Sequence, residues 1–247
     1  DRAIELLNIV ADSDYEDDQI ISALHILGQI YLVTNKLAEA SEVYSKILGI
    51  NDNDGIALNN KAHVLMTYEN DLVEAMALSK RVVEMYPEDL NYMDTLASIY
   101  RGLGQTTEAI KLLNKVLALD SQNAKALIMM ASIYSVDLEE PGQALPFAEQ
   151  AKRLSPENAK VLDELGWINF QLGNDMEAEE LFRKSLKIEE LPVTYLHLAH
   201  VLALDGRFQG AISRLNRADE LTKNPELKAE IATLRADIDE KAAISIP

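Results

Sequence analysis

The chain has 247 residues, 48% of them hydrophobic, and carries a formal charge of −18 from 41 acidic and 23 basic side chains. Such a charge repels phosphate backbones and anionic headgroups, so nucleic acid is not an expected partner. The absence of cysteine excludes disulfides, thiolate metal sites and a cysteine nucleophile, and leaves cytoplasm and bacterial periplasm equally open.

Ala and Leu recur throughout while Gly and Pro are sparse and fall between apolar stretches, which predicts an all-α chain with short turns. No apolar run approaches the roughly 20 residues that cross a bilayer, so direct membrane insertion of this segment is not expected. In chain order, Ala3, Leu7 and Val10 of RAIELLNIV come first. Their spacing predicts the tail of an earlier, truncated helical pair over residues 1–12. The N-terminus reads as a processing boundary inside a helix, with sequence upstream.

Six phased copies of one pattern follow, with pairs expected near 21–54, 56–89, 90–123, 124–158, 159–191 and 192–225. Their second helices share Ala40, Ala75, Ala109, Ala144, Ala178 and Ala211, spaced 35, 34, 35, 34 and 33 residues apart. Four residues on come Tyr44, Ser79, Leu113, Ala148, Phe182 and Leu215, one helical turn away and on the same buried face. The first helices carry their own marks, such as Leu24, Leu27, Gly28 and Tyr31, or Leu162, Leu165 and Gly166. The small residue of each set predicts a close helix approach, and a Gly or Asn after the helix predicts its cap. The second copy is the loosest, with Asn59, Ala62, His63 and Met66 at the marker positions; the fourth carries an extra residue in the Asp137 to Pro141 turn. Pro225 opens a last helix with Leu227, Ile231, Leu234 and Ile238 on one face, expected to cap the array over 226–243.

These marks resemble the tetratricopeptide repeat (TPR) family, whose pattern is W-x2-L-G-x2-Y, then A-x3-F, then P. The resemblance covers nearly the whole chain. It implies one α-solenoid domain over 1–247, a right-handed superhelix whose first helices line a concave groove that holds another protein or peptide, with no enzyme activity, cofactor or metal. The phase of the repeat places Asn60, Tyr68, Asn91, Asp94 and Arg101 in that groove, and further on Asp163, Trp167, Phe170, Gln171, Leu196, His200 and Leu204. The central residues are polar, whereas Trp167, Phe170, Leu196 and Leu204 are expected to form an apolar patch of the kind that dominates interface energy. Trp167 directly follows the Leu165–Gly166 mark, so its ring either anchors a partner or packs on the next helix.

In some family members a carboxylate clamp of Lys, Arg and Asn holds a chain end. The match here is poor, because the expected basic pair is absent and Asp94 and Asp163 would repel a carboxylate. His197 and His200 in HLAH share one helical face, as some metal sites need, but no HExxH surrounds them, and surface or groove histidines are the plainer reading. Paired acids such as Glu139 and Glu140 fall in turns. The expectation is therefore a non-catalytic interaction scaffold. The stretch GWINFQLGNDMEAEELFRKSL resembles bacterial repeat proteins, some of which act in cell-envelope assembly or polymer export. Two alternatives stay open: a regulatory or substrate-recruiting segment of a larger enzyme, and a self-associating scaffold that forms a homo-oligomer.

Overall fold

A computed structural model describes residues 4, 5, 7, 9 and 16–244. The described residues contain no strand, and between residues 16 and 244 there are thirteen α-helices. They are α1 (Asp17–Val33), α2 (Leu37–Ile50), α3 (Gly55–Val64), α4 (Leu72–Met85), α5 (Leu90–Gly102) and α6 (Thr106–Leu119). There follow α7 (Ala124–Ser132), α8 (Pro141–Leu154), α9 (Ala159–Gln171), α10 (Asp175–Ile188), α11 (Pro192–Leu204), α12 (Phe208–Leu221) and α13 (Pro225–Ile244). The chain is thus all-α, as its composition requires. The helices gather into two compact units, Asp1–Ser121 with α1–α6 and Gln122–Pro247 with α7–α13.

Helix ends are written locally. Asp54, Asp71, Asp89, Asn123, Asn158 and Asn224 each accept a backbone N–H of the turn they precede, and each such cap is worth about 1 kcal/mol. Between the two helices of every pair the backbone passes through one left-handed residue: Asn35, Asn70, Gly104, Glu139, Gly173 and Gly206. Glycine and asparagine suit that conformation, whereas Glu139, at φ 54°, bears its cost.

The second helices bury their marker alanines completely, together with Tyr44, Ser79, Leu113, Ala148, Phe182 and Leu215. Side-chain sizes are matched across each pair. A Cβ on Gly28 would sit 2.7 Å from the Tyr44 ring, and one on Gly166 would sit 2.7 Å from the Phe182 ring. Where the first helix carries Ala97 or Ala199 in that place, the second offers Leu113 or Leu215 instead. An aromatic ring is therefore admitted only where its neighbour has no Cβ.

The second pair departs from the register read in the sequence. From the first helical residue to the marker alanine there are 19 residues in the third, fifth and sixth pairs but 20 in the second and fourth. Both longer first helices end in a π-helical turn, Leu65–Glu69 and Ile133–Asp137, which absorbs the additional residue. Leu58, Ala62 and Leu65 consequently form the buried face of α3, whereas His63 is exposed and Asn59 and Met66 are half-buried. Neighbouring pairs fasten both π turns. Glu69 accepts from Ser41 of α2 and from Lys61 (3.1 Å), which also reaches Ser41. Ser135 donates to Glu164 of α9 (2.9 Å), while its carbonyl accepts from Gln171 (2.9 Å).

Of the leading partial pair, Ala3 and Val10 lie outside the described residues; Ile4 and Leu7 are helical and pack against the cluster of Leu24, Leu27 and Tyr44. At the other end, Ile231, Leu234 and Ile238 of α13 join a core with Leu198, Leu202 and Leu215 of α11 and α12.

Candidate functional site

In the second unit the first helices touch along one side, α7 on α9, α9 on α11, and α11 on α13. This inner face carries the cluster nearest to the predicted groove. Trp167 projects from α9 between two histidines of α11. Its ring lies parallel to that of His197, with centroids 4.3 Å apart, and edge-on to that of His200 at 5.7 Å. Phe170, one turn along α9, stands 5.3 Å from Trp167 and 6.2 Å from His200. The i, i+3 spacing in HLAH thus aims both imidazoles at one indole.

His197 is the hub of the arrangement. Its Nδ1 lies 3.0 Å from the carboxylate of Asp163, and its ring is tilted against that of Phe182 with centroids 5.5 Å apart. Asp163 is buried and spent on this pair, so it lines no groove. Burial, foremost, and the neighbouring His197 charge push the His200 pKa down to about 4; Lys241 of α13 adds to the shift and Asp237 opposes it. His200 is therefore a neutral donor and acceptor at pH 7. Among the described residues nothing accepts from the indole N–H of Trp167, and no group of three metal-ligating side chains converges.

The remaining expected groove residues divide. Leu196 is 1% exposed and belongs to the core, so the apolar patch loses it, whereas Leu204 stands 65% exposed at the end of α11. The reason is helical phase: Leu196 lies on the same side of α11 as the buried Ala199 and Ala203, while Leu198 and Leu202 are buried on another side of the same helix. Gln171 is occupied by the Ser135 carbonyl. In the first unit, Asn60 donates to the buried Tyr44 hydroxyl (3.1 Å) and acts as a joint between pairs. Tyr68 lies 56% exposed on the π turn, Asn91 is exposed at the start of α5, and Asp94 and Arg101 are half-buried along that helix. Sequence reasoning missed the roles of His197 and Phe182. The signal for His197 was the 34-residue offset from Asp163, one repeat period, which brings those side chains together.

Paired antiparallel helices with marker alanines, glycine-to-ring contacts and left-handed turns at a 33–35-residue period define a tetratricopeptide repeat protein. A family model described as ChAPs (Chs5p-Arf1p-binding proteins) matches residues 1–153, and the chain belongs to that family; a model described as Tetratricopeptide repeat matches residues 159–190. A TPR repeat-containing protein of Pseudomonas aeruginosa is 29% identical over 128 residues, 47% of this chain and 22% of that protein. The human protein O-mannosyl-transferase TMTC1 is 26% identical over 218 residues, 83% of this chain and 23% of that protein. The chain thus spans less than a quarter of the length of either relative. The crystal structure of the APC/C hetero-tetramer Cut9–Hcn1 superposes with a TM-score of 0.77 at 16% identity, over 94% of this chain and 46% of that one. Such a fold serves as a protein-interaction scaffold and is in general non-catalytic. Among the described residues no helix is long and apolar enough to cross a membrane.

Proposed function

We propose that the inner face of the second unit binds a segment of another protein, with Trp167, Phe170, His200 and Leu204 as its contact surface. The carrying observation is the Trp167 cluster itself. A large ring is held rigid by His197 on one face, keeps an unpartnered N–H, and sits beside Phe170 and a neutral imidazole. Rigid aromatic side chains with little rotamer entropy left to lose are the residues that dominate interface energies. Asn91, Asp94 and Arg101 of α5 supply polar contacts in the first unit. The setting we propose is bacterial envelope assembly or export, on the resemblance of GWINFQLGNDMEAEELFRKSL to bacterial repeat proteins.

A second reading is favoured by the O-mannosyl-transferase match: the segment recruits a substrate for a catalytic domain elsewhere in a longer chain. Capture from native extract tests the binding reading, comparing wild type with Trp167→Ala and Leu204→Asp. Loss of the same proteins from both variants supports it. Equal yields, with folding intact, refute it.

A further inference from the structure

A polar cleft lies on the outer side of α12, away from the Trp167 cluster. At three residues past the marker alanine, five pairs place an apolar side chain: Val43, Leu78, Leu112, Phe147 and Leu181. Val43 and Leu181 are buried there and the other three half-buried. The sixth pair places Arg214. Its aliphatic stem replaces the apolar packing, and its head reaches a cleft of ≈ 540 Å³.

That guanidinium makes no ion pair and no hydrogen bond among the described residues, and its Nε is closed off from solvent without an acceptor. Its neighbours are not so placed. Arg183 and Arg207 are held by Glu179, and Arg217 by Glu190 and Glu220. A ligand cannot reach that closed-off Nε, but the Nη edge at the cleft is open and has no counter-charge, in a chain so rich in carboxylates.

Gln209, Ser213 and Asn216, which also line the cleft, follow one another at four- and three-residue steps along the same face of α12. They form a row of neutral donors and acceptors about 10 Å long. We infer that this cleft binds an acidic peptide segment, with a single carboxylate in the Arg214 fork and the main chain along that row. The flanking carboxylates of Glu190 and Glu220 select against a doubly charged phosphate, whereas one carboxylate adds a single charge to a site that has an unmatched guanidinium. The site is independent of the inner face and requires no change in it.

The test uses the full chain labelled with nitrogen-15 and follows the Arg214 Nε–Hε signal. The probes are a capped Ser-Gly-Glu-Gly-Ser peptide, its Gln counterpart, and inorganic phosphate. The Glu peptide is expected to shift the signal saturably and to bind about tenfold more tightly than the Gln peptide, the difference between a charge-assisted and a neutral hydrogen bond. Arg214→Leu, the residue of three of the other five pairs, keeps the fold and loses the response to the Glu peptide in the signals of Ser213 and Asn216. Arg214→Lys keeps the charge without the fork and binds several-fold more weakly than wild type. Equal shifts from Glu and Gln peptides, tighter binding of phosphate, no response at all, or an undiminished response in Arg214→Leu would each overturn the assignment.

Discussion

Replacing Gly166 by Ala tests the packing logic of the whole array. The new Cβ would lie 2.7 and 2.8 Å from two atoms of the Phe182 ring, a separation that real Cβ contacts do not sustain, and Phe182 is fully buried and cannot swing away. Overpacking of this kind costs typically 1–3 kcal/mol, while Ala in place of a helical Gly returns about 1 kcal/mol. A net loss of about 1 kcal/mol follows. The repeat itself names the compensating change, because Ala97 and Ala199 face Leu113 and Leu215. In Gly166→Ala/Phe182→Leu the clash disappears, so the double variant should be more stable than the two single losses add up to, by about 1–2 kcal/mol. Urea unfolding followed by Trp167 fluorescence reads all four corners of this cycle. Strict additivity would show that ring and glycine are not matched, and the reasoning would fail.

Acid should weaken the Trp167 cluster through His200. Its folded pKa of about 4 lies below the ordinary imidazole value of 6.5, so its contribution is full above pH 6.5 and is lost as pH falls through 4. Wild type should therefore lose about 1–2 kcal/mol more than His200→Gln between pH 7 and pH 4.5, after allowance for solvent screening; equal losses would exclude His200 as the titrating group. Glu139→Gly removes a side chain from a left-handed residue and should stabilise the chain by about 1 kcal/mol, read as a rise in thermal midpoint. Ser79→Ala deletes a fully buried hydroxyl without a partner and should likewise stabilise by about 1 kcal/mol, whereas a loss of stability would reveal a bonded hydroxyl. Lys61→Met cuts the bridge to Glu69, whose carboxyl is held below its usual range by Ser41 first and Lys61 next; unfolding should become easier by about 1–2 kcal/mol.

The elements most legible in the sequence are those that leave a residue signature. Marker alanines announce a surface with room for nothing larger, and Gly or Asn announces a left-handed turn. The π turn of the second pair left a fainter sign. The extra residue lengthens the alanine spacing to 35 in the second and fourth pairs, but that count does not say where the residue is absorbed, and only the burial of Leu58, Ala62 and Leu65 reveals the shifted register. Periodicity likewise placed Trp167, Phe170 and His200 on one face, but it assigned Leu196 there too. The inward and groove-facing positions of α11 adjoin, and its composition is apolar all round, so no hydrophobic contrast separates them. The pairing of Asp163 with His197 crosses two helices, and no single-helix pattern contains it.

Acrylamide quenching of the single Trp, Trp167, before and after addition of a captured partner tests the central claim most directly. The account predicts a half-buried indole that is quenched in the free protein and protected in the complex, with protection lost on Leu204→Asp. Quenching unchanged by a bound partner would place the interface elsewhere and contradict it.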